Sequence, residues 1–272
     1  MNFQTKEIDG ITMRWADEGS GDMPVVLIHG IPTSPYLWRD VVPLLETRWL
    51  SWEMVGYGAS WPQAERHDIS VAAQAGYLIR WLAAIGIRRA ALVGHDLGGG
   101  VAQIAAVRHP ELCAGMVLTN SICYDSWPIP SVKALRSMGG LVRRMPRKAF
   151  RAVLSALLRQ GHDDSEKAAE SVAAHWANYD HPAGALAFLR QLRSLKVKDT
   201  LAISTQLREL DVPARIVWGA ADRFQKIQYG RRLERDLGAH LETLEGGRHF
   251  TPEDHPQNVA AAVNIVVREC AK

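Results

Sequence analysis

One hexapeptide constrains what this chain can fold into more than any other part of its 272 residues. It reads Gly94-His95-Asp96-Leu97-Gly98-Gly99 and directly follows the apolar run Ala90-Ala91-Leu92-Val93. A short apolar run, then a glycine-flanked corner, then the small-residue stretch Val101 to Val107, predicts a buried strand, a sharp turn and a helix. The glycines permit a strained corner and a close helix–strand approach that a Cβ would block. Such a corner lifts one side chain, here the carboxylate of Asp96, off the end of the strand.

The residue type at that corner selects the chemistry. A serine there suits attack on acyl carbon, because water can cleave the ester that results. At a saturated carbon, serine would leave an unreactive ether. A carboxylate attacking saturated carbon leaves an alkyl ester, which water can hydrolyse at the aspartyl carbonyl. Asp96 therefore predicts hydrolysis at sp3 carbon, as in an alkyl halide or an epoxide. The competing readings are a corner that has lost its nucleophile and a turn aspartate with a purely structural role.

Strands and helices alternate on both sides of the corner. Ile11 to Trp15 reads as an edge strand, and Val25-Val26-Leu27-Ile28 as a strand buried on both faces. Tyr36 to Leu45 reads as a helix capped by Ser34 with Pro35 at its first position. Trp49 to Val55 is the next predicted strand, Ser70 to Ile85 a long helix ended by Gly86, and Gly115 to Thr119 another strand. From about Asp125 to Leu210 the pattern is helical, punctuated by Pro128, Pro130, Pro146 and Pro182. Alternation resumes with a strand at Ala214 to Trp218, a helix near Ile227 to Leu237, a strand near Leu241 to Leu244 and a closing helix from Pro256. The class is therefore α/β: a mostly parallel, doubly wound sheet with a helical cap inserted before the late strands. The expected division is a core of residues 1–124 and 211–272, with a cap of residues 125–210 at the carboxyl ends of the strands, where such sheets bind ligands.

Composition narrows the partners. A net charge of +3 is too small to argue for nucleic acid. The three cysteines match no metal spacing and fit a reduced, cytoplasmic setting. Residues Met1 to Asp9 carry no apolar leader segment, and no apolar run approaches the length of a membrane span. The expectation is a cytoplasmic protein that needs no metal or cofactor and acts on a small hydrophobic electrophile; oligomeric state is not readable. Nine tryptophans leave several available to line a pocket. The stretch 131–160 holds Lys133, Arg136, Arg143, Arg144, Arg147, Lys148, Arg151 and Arg159 with no acid. It reads as a solvated helix face or as an attraction for an anion.

An aspartate nucleophile needs a base for the second half-reaction. His249, in Gly246-Gly247-Arg248-His249-Phe250, follows the last predicted strand and can take a proton from the attacking water. Asp222, after Val217-Trp218-Gly219-Ala220-Ala221, is the carboxylate expected to hold the imidazole, and the chain order nucleophile, acid, histidine is a known one. Asn120, after the strand ending Leu118-Thr119, cannot serve as that acid. The backbone N–H groups of Ile31 and Leu97 are the expected oxyanion donors. His29 is expected to order its loop and His95 to point away from the site. Tyr124, Trp127, Trp176 and Tyr179 are candidate substrate contacts in or beside the cap.

These pieces, with His29-Gly30-Ile31-Pro32-Thr33-Ser34 and Tyr36-Leu37-Trp38-Arg39, resemble α/β-hydrolases of the haloalkane dehalogenase and epoxide hydrolase branch over nearly the whole catalytic domain. The resemblance implies the α/β-hydrolase fold, the triad Asp96, His249 and Asp222, and no cofactor. Two positions depart from it. Many of the dehalogenases carry asparagine after the His-Gly pair and tryptophan after the nucleophile to hold the leaving halide; this chain has Ile31 and Leu97, whose side chains donate nothing. Related epoxide hydrolases use cap tyrosines to protonate the opening oxygen. Tyr124 and Tyr179 are available for that, although Phe188-Leu189-Arg190 lacks a tyrosine often found nearby. The reading is an epoxide hydrolase-like enzyme. A haloalkane dehalogenase with a non-standard halide site, for which Trp127 and Trp176 are the candidate donors, is the alternative. A non-catalytic small-ligand receptor on the same shell is the alternative from another class.

Overall fold

Unbroken apolar runs form the centre of the sheet in the computed structural model, which describes residues 1–270. The strands are β1 (Phe3–Ile8), β2 (Ile11–Glu18), β3 (Val25–Ile28), β4 (Trp49–Glu53), β5 (Ala90–His95), β6 (Cys113–Thr119), β7 (Ala214–Gly219) and β8 (His240–Leu244). They lie in the order β1-β2-β4-β3-β5-β6-β7-β8. From β4 across to β8 neighbouring strands run parallel, whereas β2 pairs antiparallel with both β1 and β4. β3, β5 and β6 are buried at every position, as expected where helices cover both faces of a parallel sheet.

Between β4 and β6 lie α1 (Val71–Ala84) and α2 (Leu97–Arg108). Ser70 caps α1 by accepting the Ala73 N–H, and Gly86 follows the helix at a φ of +79°. Six helices are inserted between β6 and β7: α3 (Pro130–Ser137), α4 (Gly139–Arg143), α5 (Arg147–Gln160), α6 (Ser165–Trp176), α7 (Gly184–Ser194) and α8 (Lys198–Leu201). α9 (Ile227–Leu237) joins β7 to β8, and α10 (Thr251–Asp254) and α11 (Pro256–Cys270) follow.

Two local expectations fail for physical reasons. The sheet edge is β1 rather than Ile11 to Trp15, and β1 exposes four consecutive residues, so it carries no apolar alternation to read. The segment 36–45 is not an α-helix but two 3-10 turns, Pro35–Trp38 and Val42–Leu44, and Ser34 makes no side-chain cap bond. Pro43 lacks the N–H that a continuous helix would send back to Arg39.

Topology places the site. The chain leaves β3 for β4 on one side and later returns to β5 on the other, so the loops after β3 and β5 diverge and open a crevice at the strand ends. Ile28 pairs with Gly94, His95 with Thr119 and Thr119 with Val217. The loops that follow these strands therefore start at one level. Most tryptophans lie away from that crevice: Trp38, Trp52, Trp81 and Trp218 are fully buried core residues, and Trp81 packs against Trp15 and Trp52 at centroid distances of 5.5 and 5.9 Å.

Candidate active site

Asp96 sits between β5 and α2 with φ +50° and ψ −118°, a strained conformation for a residue with a Cβ. Its backbone is fixed from both sides: its N–H donates to the Thr119 carbonyl at 3.3 Å, and its own carbonyl accepts the N–H of Gly99 and of Ile122, each at 3.1 Å. Two glycines make the corner possible. A Cβ on Gly98 would overlap the Ile28 carbonyl, and one on Gly30 would collide with the Asp96 side chain. The Asp96 Oδ2 accepts the Ile31 N–H at 3.0 Å, and the Leu97 N–H also supports the carboxylate. Burial lifts its pKa above the usual carboxylate range, against the opposing pull of His249 and these two N–H groups.

His249 follows β8. Its Nδ1 lies 2.8 Å from Asp222 Oδ2, so Nδ1–H donates and Nε2 is left as the basic nitrogen. Burial disfavours the imidazolium, but the Asp222 charge and hydrogen bond, with Asp96 behind them, raise its pKa above the ordinary histidine value. Asp222 is itself held. Its Oδ1 accepts the Phe224 N–H at 2.7 Å, and its Oδ2 accepts Asn120 Nδ2 at 2.6 Å.

Asn120, whose amide cannot act as an acid, holds Asp222 instead. Its own Oδ1 accepts the Gly219 N–H and the Thr251 hydroxyl, both at 3.2 Å. The available signal was its position one residue beyond β6, level with the corner. His95 does not line the cavity, as expected, but packs against the base candidate from behind. Its ring lies 4.7 Å from the His249 ring, turned there by contacts of its Nδ1 with the Thr119 backbone and hydroxyl at 3.2 Å, and burial keeps it neutral. His29 bridges its loop, Nδ1 to the Gly30 carbonyl at 3.0 Å and Nε2 to the Met54 N–H at 3.1 Å, and burial lowers its pKa to about 3.

Asp96 and His249 line a cavity of about 80 Å³. Ile31, Leu97 and Phe224 of the core face Trp127, Phe188 and Leu192 from the inserted segment. Of the four aromatic contacts expected from the sequence, Trp127 alone lines this cavity, and its Nε1–H is already donated to Thr200 Oγ1 at 2.7 Å. Tyr124 donates its hydroxyl to Asp236 at 2.8 Å, and Tyr179 donates to Gln191 at 2.7 Å. Trp176 packs on Phe150 at a centroid distance of 5.7 Å and under Arg151. The directions of these side chains are set by packing between helices, which the sequence does not spell out.

A buried ionic cluster behind His249 is not legible in the sequence. Glu253 on α10 meets His162 at 3.2 Å and His175 at 3.1 Å, and pairs with Arg39. His162 also contacts Asp254 at 2.8 Å and stacks on Phe250 at 4.7 Å. Burial opposes ionisation of Glu253, yet His175, His162 and Arg39 hold its pKa well below the usual range. Burial likewise opposes charge on His162, but Asp254 and Glu253 raise it to about 9.

The basic stretch lies at the surface, where Arg147 pairs with Asp180 and Arg136 donates to the Leu195 carbonyl at 3.1 Å. Among the described residues, no group of three His, Cys, Asp or Glu side chains is placed to hold a metal ion, and no helix is long and apolar enough to cross a membrane. Cys113, Cys123 and Cys270 are all free thiols.

Residues 23–256 match the model of the alpha/beta hydrolase fold family. In sequence the chain is similar to haloalkane dehalogenase 2 of Mycobacterium tuberculosis, with 24% identity covering 96% of this chain and 94% of that one. In structure it is similar to an alpha/beta hydrolase fold protein from Burkholderia ambifaria, with a TM-score of 0.85, 26% identity and 96% of each chain covered. The epoxide hydrolase CorEH shares the fold, with a TM-score of 0.75 at 21% identity over 98% of this chain and 99% of that one.

Proposed function

The chain belongs to the alpha/beta hydrolase fold family, and from that premise we propose that this hydrolase cleaves small apolar electrophiles at sp3 carbon through an alkyl ester on Asp96. The observation that carries the reading is the Asp96 carboxylate, bonded to the Ile31 N–H at 3.0 Å on the wall of an apolar cavity it shares with His249. A nucleophile's spectator oxygen is thereby fixed while the other is left to attack.

In the first step an Asp96 oxygen forms a bond to the substrate carbon, and the leaving atom departs with its bonding electrons. In the second, His249 Nε2 takes a proton from water as the oxygen of that water attacks Cγ of the ester. The negative charge then collects on Oδ2, where the Ile31 N–H already points, with the Leu97 N–H beside the same carboxylate. Collapse of the intermediate expels the alcohol oxygen, which takes the proton back from His249. Asp222 holds the ring and stabilises its charged form. Alkylation also removes the negative charge of Asp96, one of the influences that raise the His249 pKa. The ring is therefore easier to keep neutral in the step that needs a base.

An epoxide and an alkyl halide both suit this sequence of steps, and relatives bearing the names epoxide hydrolase and haloalkane dehalogenase support each. Ile31 and Leu97 in place of side-chain halide donors favour the epoxide. The hydroxyls of Tyr124 and Tyr179, spent on Asp236 and Gln191, favour an electrophile that needs no acid.

Intact-protein mass spectrometry of His249→Gln after exposure to bromoalkanes and epoxides tests the ester. The expected result is a stable adduct mapping to Asp96: the alkyl group alone from a bromoalkane, the whole molecule from an epoxide. No adduct across the panel, with ligand bound unchanged by the wild type, would overturn the reading in favour of a receptor.

A further inference from the structure

The cavity contains one polar side chain that the two steps above leave idle. Gln225 is 3% exposed, lines the same cavity as Asp96 and His249, and has an Oε1 without a hydrogen-bond partner among the described residues. A buried amide oxygen without a partner is uncommon enough in a folded protein to call for an explanation, and because rotation exchanges the oxygen and nitrogen ends of the amide, a ligand atom beside either end is one. The main chain around it is fixed. Trp218 Nε1–H donates to the Gln225 carbonyl at 2.9 Å, and Asp222 Oδ1 accepts the Phe224 N–H at 2.7 Å. The carboxylate that orients the base thus also positions the segment that delivers this amide.

We propose that Gln225 binds the departing atom of the substrate and that this atom is a halide, an inference that rests on Asp96 acting as the nucleophile. Rotation of the terminal amide presents two N–H donors to the cavity. The competing donors are committed: Trp127 to Thr200, Tyr124 to Asp236, Tyr179 to Gln191, and the Ile31 N–H to Asp96. In the displacement, R–X and the Asp96 carboxylate give the Asp96 alkyl ester and X⁻, the electron pair of the breaking bond going to X. An amide N–H can stabilise that anion but cannot surrender a proton near neutral pH. A halide leaves as a stable anion and asks for no proton. The alkoxide of an opened epoxide asks for one, and no side chain assigned to this step can supply it.

The test follows ester formation in His249→Gln, with and without Gln225→Leu, using 1-chloro-, 1-bromo- and 1-iodobutane and 1,2-epoxybutane. Mass spectrometry reads the adduct and ion chromatography the halide released. With Gln225 intact, haloalkane adducts should outpace the epoxide adduct. Gln225→Leu should slow the bromide reaction about 100-fold, in line with the loss of one donor to a developing anion. The penalty should fall from chloride to iodide, because the better leaving group depends less on a donor. An equal slowing of all three halides, an unchanged rate, or preferential epoxide capture with Gln225 intact would overturn the assignment to Gln225 while leaving the Asp96 ester standing. Absence of any adduct in His249→Gln itself would instead remove the reading beneath it.

Discussion

The carbonyl oxygen of Gly161 accepts the backbone N–H of His249 at 2.9 Å. The same oxygen takes the Phe250 N–H at 3.1 Å, and Asp163 Oδ1 takes that of Arg248 at 2.6 Å. The loop carrying His249 is therefore tied by its main chain to the inserted helical segment.

Gly161 is the tight point of that junction, since a Cβ there would lie 2.6 Å from the Phe250 ring. Its φ of −92° is open to any residue, so the effect of a side chain would be steric rather than conformational. Gly161→Ala should destabilise the fold by about 1–3 kcal/mol through overpacking. By displacing the His249 loop it should lower kcat more than it raises KM. Urea denaturation and steady-state kinetics on one preparation check both effects.

The ionic cluster beneath the same loop gives stability a defined pH window. The His162 pKa rises from 6.5 to about 9 on folding, so its contribution is complete below pH 6.5 and is lost as pH climbs through about 9. Glu253 is depressed instead, so its contribution is present above the unfolded glutamate value and disappears as pH falls through the folded one. Hydrogen exchange in α6, which carries His175, should slow to a minimum opening rate between about pH 4.5 and 6.5, after correction for intrinsic exchange. Opening should then increase toward pH 9. His162→Gln should abolish the alkaline change and cost about 3 kcal/mol, as expected when one member of a buried ion pair is removed.

The parts legible in the sequence are those whose physics is local. Val25 to Ile28 shows its double-sided burial as an unbroken apolar run, and α9 occupies the stretch Ile227 to Leu237 that its pattern marks out. Asp96 and Asp222 each follow an apolar strand at a glycine-bearing turn, whereas His249 is marked only by Gly246-Gly247 after the polar strand β8; in the structure His249 contacts Asp222 and shares a cavity with Asp96. What stayed hidden depends on packing between distant segments. Asn120 and Asp222 are 102 residues apart, and Gly161 and His249 come from different layers. Nothing near Tyr179 or Trp176 in the chain states which way a cap side chain turns, and β1 is too polar and exposed to announce itself as a strand.

Asn120 offers a test of how far the acid must be held. Asn120→Ala removes a hydrogen bond of 2.6 Å from Asp222 and leaves the Gly219 N–H without its acceptor. Loss of a charge-assisted bond of this kind is worth about 1.5–3 kcal/mol. The turnover number should fall by about 10-fold or more, with little change in KM, because Asn120 lies outside the cavity lining. Asn120→Asp should be worse at neutral pH than at low pH, since it sets a second carboxylate against Asp222 and the two cannot both ionise freely. Comparing the pH profiles of the two variants separates loss of a donor from gain of a charge.

The charge of Asp96 should be visible in the titration of His249. Burial lowers that pKa and His162 lowers it further, while Asp222 and then Asp96 raise it, leaving it above the ordinary histidine value in the resting enzyme. The free base is therefore scarce at low pH, and the rate of ester hydrolysis should rise with pH until the ring is neutral. Asp96→Asn removes one of the two negative charges without changing the side-chain outline, so the NMR-observed pKa of His249 should move down. The alkylated enzyme should mimic it, because an ester at Asp96 is equally uncharged. The pH midpoint of single-turnover ester hydrolysis should thus lie below the midpoint that NMR finds for His249 in the resting enzyme. Coincident midpoints would mean that the Asp96 charge has no hold on the base, and that the nucleophile does not prepare its own release.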